Sequence, residues 1–123
     1  MDSHARSLVV KVTSGVEAPE RLSQAFTVAA TAVASGVQVS LWLTGEASWM
    51  AVPGRAEAFE LPHAASIVDL RAAVLAGGRL TVCTQCAARR GISEADLVTG
   101  ARIAGSASFV AEILAPDVQA LVY

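Results

Sequence analysis

A chain of 123 residues sits near the commonest size of a single domain, so residues 1–123 are read as one domain behind a short flexible N-terminus at residues 1–7. Nine Lys and Arg against 11 Asp and Glu give a net charge of −2, which lacks the basic face that a nucleic-acid surface needs to release phosphate counterions. Hydrophobic residues make up 54% and charged residues only 16%, against roughly 25% charged in an average domain, which excludes disorder and predicts that other copies of the chain cover part of an alanine-rich surface. The longest apolar candidate, Phe26 to Ala34, falls well short of the roughly 18 residues that cross a bilayer. Asp2, Arg6 and Lys11 break the order of regions that marks a secretion signal. The expectation is a cytoplasmic protein without a membrane span.

Leu8 to Val12 reads as a buried strand ending at Thr13-Ser14-Gly15. From Pro19 onward Leu22, Phe26, Ala29 and Val33 recur at helical spacing, with Glu17 and Glu20 where the helix dipole favours acids, and Gly36 ends that helix. Val37 to Leu43 is a second strand, closed by Thr44-Gly45. Glu46 to Pro62 reads as a long irregular loop with room for one helical turn. Ile67, Leu70 and Val74 mark a helix stopped at Gly77-Gly78. Arg79 to Cys83 is a third strand, Thr84 to Arg90 a short helix, and Ser93 with Asp96 a capping box. Ala101 to Ala104 gives a fourth strand, Ser106 caps a helix carrying Phe109 and Ile113, and Val118 to Val122 a fifth strand. Strands separated by helices cannot pair through tight hairpins, so the alternation predicts a three-layer α/β/α sandwich with a mainly parallel five-stranded sheet.

In such a sheet the loops leaving the carboxyl ends of the strands gather on one edge, where ligands bind. Three segments lie there: Thr13 to Gly15, Thr44 to Pro53, and Cys83-Thr84-Gln85-Cys86. A cysteine at a strand end and immediately before a helix meets unpaired backbone N–H groups and the positive end of the helix dipole, both of which favour thiolate, so Cys83 is predicted to have a lowered pKa. Arg89 and Arg90 add positive charge further along. The competing reading makes Cys83 and Cys86 small apolar residues that fill a strand-helix junction. Two cysteines are too few for a disulfide scaffold and fit a reducing compartment. Joined only by His4 and His63, they also make a poor four-ligand metal set, so no metal is expected. As a redox pair they are better placed, since residues three apart on a helical turn have Cβ atoms roughly 5–6 Å apart.

Cys83, the Ala-Ala-Arg-Arg-Gly of Ala87 to Gly91, Ile92 and Asp96-Leu97 resemble the conserved cysteine segment of the DsrE/DsrF-like family. The likeness extends from Leu8 to Tyr123 and takes in Leu41 to Gly45 and Ala120 to Tyr123. The resemblance implies a compact α/β/α sandwich that assembles as a homo-oligomer, a trimer or hexamer, with sulfur donor and acceptor proteins as partners. It also implies a persulfide-carrying cysteine at the position of Cys83, six residues before the paired arginines. Cys86 departs from the relay pattern, which has a small apolar residue there. A thiol three residues from a persulfide can attack it, releasing sulfide and leaving a Cys83–Cys86 disulfide.

The remaining candidates each carry a plainer alternative. Trp49 and Met50 are read as an apolar lid over Cys83 or as a subunit contact. Ser14 and Thr44 are read as pocket residues or as turn caps, and His63 as a solvated or capping residue before a base. No G-x-G-x-x-G follows the first strand and no close carboxylate pair is visible, so neither a dinucleotide cofactor nor glycosidase chemistry is expected. Sulfur handling on Cys83, with Cys86 as resolving thiol, is the leading reading. Thiol-disulfide exchange and a non-catalytic oligomeric interaction module are its rivals.

Overall fold

The computed structural model of the chain describes residues 6–123. Its elements run β1 (Ser7–Val12), α1 (Pro19–Ala34), β2 (Gln38–Leu43), a 3-10 segment (Gly45–Ala51), α2 (Ile67–Gly77), β3 (Gly78–Cys83), α3 (Thr84–Arg89), a 3-10 turn (Glu94–Asp96), β4 (Arg102–Ala104), α4 (Ser106–Ile113) and β5 (Val118–Val122). The sheet has five strands in the order β4-β3-β2-β1-β5. All four neighbouring pairs are parallel. The expected flexible N-terminus largely lies outside the described residues, and Ser7 already belongs to β1.

Period-2 alternation sends two different sets of side chains to the two faces. Toward α1 and α2 point Val10, Val12, Leu41, Leu43, Leu80 and Val82, all fully buried, and they meet Leu22, Ala25, Phe26 and Ala29 of α1 and Ile67 and Val74 of α2. This is the main core, and each large side chain sealed in it contributes about 1.5–3 kcal/mol. The opposite face carries Val9, Lys11, Ser40, Trp42, Thr81 and Arg102, rows fixed by the register Val9 to Ser40, Lys11 to Trp42, and Trp42 to Thr81 to Arg102. Only α4 covers it. Phe109 meets the Trp42 ring edge-on with centroids 5.4 Å apart, and Glu112 accepts from Trp42 Nε1 at 3.1 Å and Arg102 Nη2 at 2.7 Å.

Two local expectations are corrected. Glu46 to Pro62 begins with a 3-10 segment of seven residues, longer than one turn, because Ala47, Ser48, Met50 and Ala51 are buried and Arg71 of α2 donates to the Met50 carbonyl at 2.9 Å. Ser106 is the first residue of α4 and makes no cap bond; the Gly105 carbonyl instead accepts from Ser108 and Phe109, which makes Gly105 the N-cap. The capping box at Ser93 and Asp96 is present. Among the described residues no helix is long and apolar enough to cross a membrane.

Candidate functional site

The loops after β1 and β2 close on one another at the carboxyl edge of the sheet. A Cβ on Gly45, whose φ is +55°, would lie 2.6 Å from the Thr13 carbonyl oxygen, and one on Gly15 would lie 2.7 Å from the Glu46 backbone. Each of the two loops therefore carries a glycine where their backbones touch. That contact holds the Gly45 N–H against Cys86, where it donates to Sγ at 3.2 Å. Arg90 fixes the same residue from the other side, donating from Nη1 to the Cys86 carbonyl at 3.1 Å and from Nε to Glu46 Oε2 at 2.7 Å.

Cys83 is the last residue of β3 and the N-cap of α3, so its side chain meets the first turn of the helix. It is half-buried and free, whereas Cys86 is buried and free. Burial by itself would raise the Cys83 pKa. The backbone N–H groups of Cys86 and Gln85, the Cys86 side chain and the Lys11 ammonium outweigh it and hold the thiol below its ordinary value. The N–H groups act across longer electrostatic contacts, short of a full cap hydrogen bond. The result is a thiolate-prone sulfur at the mouth of the sheet.

A small cavity of about 20 Å³ adjoins Cys83, lined by Lys11, Trp42, Thr44, Ser106 and Phe109. It is too small for a cofactor and has the size of a single water or sulfur atom. Lys11 also lies 4.9 Å from the Phe109 ring centroid, which holds its ammonium over the cavity. Lys11, Ser106 and Phe109 are neighbours of Cys83 at this cavity that sequence reading passed over. The signal for Lys11 was available: it interrupts a buried parallel strand one residue from its carboxyl end, where a charge needs a reason.

The other sequence candidates are placed as follows. Thr44 lines the Cys83 cavity, but its hydroxyl donates to the Val12 carbonyl at 2.9 Å and so also ties β2 to β1. Ser14 is buried and accepts from Arg21 at 3.4 Å, away from the sulfur. Arg90 is engaged with Glu46, and Arg89 is exposed; neither is among the charges that bear on Cys83. Met50 is buried in the core, and with Trp49, Val16, Phe59 and Arg55 it lines a separate cleft of about 220 Å³, where the Arg55 guanidinium sits 4.0 Å over the Trp49 indole. The structure thus joins Cys83, Cys86 and Thr44 and sets Trp49 and Met50 elsewhere. His63 is exposed in a turn with φ 63°, and Ser66 caps α2. His4 lies outside the described residues. Among the described residues no three His, Cys, Asp or Glu side chains gather as a metal-binding group.

A sequence model described as the DsrE/DsrF-like family matches residues 6–118. Among solved structures, the fold is similar to that of the ychN protein from E. coli, with a TM-score of 0.79 at 19% identity over 96% of this chain and 99% of that one. It is also similar to the protein of unknown function MTH1491 from Methanobacterium thermoautotrophicum, with a TM-score of 0.68 at 10% identity over 98% of this chain and 100% of that one. No curated protein matches the chain significantly.

Proposed function

Because the chain belongs to the DsrE/DsrF-like family, we propose that it handles sulfane sulfur, with Cys83 as the nucleophile and transient persulfide carrier. In the loading step the Cys83 thiolate attacks the outer sulfur of a donor persulfide, R–S–SH. The donor S–S bond breaks, RS⁻ leaves, and Cys83 holds S–SH. The observation that carries this reading is the position of Cys83: half-buried, beside a cavity of sulfur size, with its pKa held down by backbone N–H groups and Lys11. Incubation of the folded chain with a polysulfide donor followed by mass spectrometry tests it. A gain of one sulfur on Cys83 is expected, and a native chain whose Cys83 stays unmodified rejects the reading.

Proximity of the Cys86 side chain to Cys83 favours a second step. Deprotonated Cys86 attacks the inner sulfur of the Cys83 persulfide, HS⁻ leaves, and a Cys83–Cys86 disulfide remains for an external thiol to reduce. Replacing Cys86 by Ser separates carrier from reductase: a longer-lived adduct assigns resolution to Cys86, and an unchanged lifetime leaves relay alone.

We place this chemistry in a cytoplasmic homo-oligomer, a trimer or hexamer, that receives sulfur from one protein and delivers it to another. Exposed Val110 and Leu114 around α4, with Leu121 and Val122 on the edge strand β5, support self-assembly. Light scattering should give a mass several times the 12.6 kDa of one chain. The rival reading, a non-catalytic interaction module, predicts that both native thiols resist a small alkylating agent. Fast, selective labelling of Cys83 counts against it.

A further inference from the structure

A second, much larger cavity lies at the other end of the sheet from the cysteines. It has a volume of about 640 Å³ and opens between the starts of β1 and β2, the last turn of α2 and the end of α4. That volume falls inside the roughly 300–1,000 Å³ of small-molecule sites. Its floor and walls combine three kinds of chemistry.

Arg79 supplies the first. Its side chain is 60% exposed, and its carboxylate neighbour Glu112 stands 3.9 Å away. Glu112 is already held by Arg102 at 2.7 Å and by Trp42 at 3.1 Å, so the Arg79 fork keeps donors free for an incoming carboxylate. Beside the groove two guanidiniums, those of Arg79 and Arg102, share the one carboxylate of Glu112 among the described residues, an excess of positive charge in a chain whose net charge is −2. The second kind is the carboxyl end of α2 at Ala76 and Gly77, with that of α4 close by. Helix carboxyl ends carry partial negative charge and outward carbonyls, which attract an ammonium. Third, Val9 and Ala111 give an apolar floor.

We propose that this groove binds a free amino acid with an apolar side chain. The carboxylate lies on Arg79, the ammonium at the carboxyl end of α2, and the side chain on Val9 and Ala111. A simple anion would face two helix carboxyl ends, and a simple cation would face Arg79. A zwitterion satisfies both. The site shares α4 with the cysteine cavity but uses no residue of the sulfur chemistry, so it stands apart from the function proposed above.

The test uses ¹⁵N-labelled full-length chain carrying Cys83→Ser, so that no sulfur step intervenes. Leucine and phenylalanine are titrated beside 4-methylpentanoate, which lacks the ammonium, and 3-methylbutylamine, which lacks the carboxylate. At least one amino acid should give saturable shifts at the amides of Gln38, Ser40, Gly78 and Ala111, with each truncated analogue binding at least about ten-fold more weakly. Arg79→Gln should weaken amino-acid binding by a similar factor while the rest of the spectrum stays folded. The proposal is overturned if neither amino acid gives saturable shifts, if an analogue binds as well, or if Arg79→Gln changes nothing. Shifts of the same amides on dilution alone would also overturn it, because a second copy would then fill the groove.

Discussion

The two faces of one sheet have been built on different physics. Against α1 and α2 the three central strands present Val and Leu, and the helices bury them. Against α4 the sheet presents Lys11, Ser40, Trp42, Thr81 and Arg102, of which Trp42, Thr81 and Arg102 are tied by hydrogen bonds, and eight helical residues roof the face. The main apolar core lies on the first face, and the polar contacts and both cavities lie on the second. An apolar face holds by area and tolerates no opening, whereas a polar face held at a few directional contacts leaves cavities at both of its ends.

Several substitutions break or sharpen this contrast. The largest effect is expected at the reacting sulfur itself: Cys83→Ser should abolish sulfur loading, read by mass spectrometry, while the thermal midpoint moves little. On the sealed face, Phe26→Ala should cost about 3–5 kcal/mol in urea unfolding, since a fully buried ring leaves a cavity. Sulfur loading by the fraction that remains folded should be unchanged. An equal loss from an exposed α4 residue such as Val110 would dissolve the distinction between faces.

Glu112→Gln tests the polar face. Arg102 and Arg79 would lose their shared carboxylate, at a cost of about 1–3 kcal/mol, below that of Phe26→Ala because both guanidiniums reach solvent. Burial alone would raise the Glu112 pKa, but hydrogen bonding from Ser40 and Trp42 and the charges of Arg79 and Arg102 bring it below the ordinary carboxylate value. The Ser40 hydroxyl faces the carboxylate without full hydrogen-bond geometry. A carboxylate depressed in the folded state stabilises above its unfolded pKa, and that stability disappears as pH falls through the folded value. Unfolding of the Gln variant should therefore lose part of the acid dependence of the parent.

A smaller effect is expected at Lys11. Lys11→Met removes a cation that acts on Cys83, so the midpoint of Cys83 alkylation against pH should move upward, toward an ordinary thiol, without reaching it, because the backbone N–H groups remain. An unchanged midpoint would mean the ammonium does not act on the sulfur. Smallest of all, Ser106→Ala should shift stability by less than about 0.5 kcal/mol, since Ser106 caps nothing.

Much of this architecture is legible in the chain because parallel strands buried on one face write themselves as short Val and Leu runs punctuated by glycine. Thr44-Gly45, Gly77-Gly78 and the Ser93–Asp96 box each fall at an element boundary. The place of Cys83 was legible for the same reason, as a cysteine at a strand end before a helix. What stays hidden in sequence is direction. Arg90 is near Cys83 in the chain, yet its side chain turns to Glu46, 44 residues away, while Lys11 reaches the sulfur from two strands over. Trp49 and Met50 follow β2 as a lid would, but Arg71 pulls that segment toward α2. Contacts made across the sheet leave no local pattern to read.

The strand order also shapes how the chain reaches this state. β5 does not join β4, its predecessor, but crosses to the far side of β1, and Thr13 meets the Tyr123 carbonyl across 110 residues. No adjacent pair of strands can form without a helix-length loop closing first, which places the chain among slower-folding topologies. During synthesis the flank of β1 stays unzipped until residues 118–122 have left the ribosome, an open seam that a chaperone or a neighbouring nascent chain would meet before β5 does.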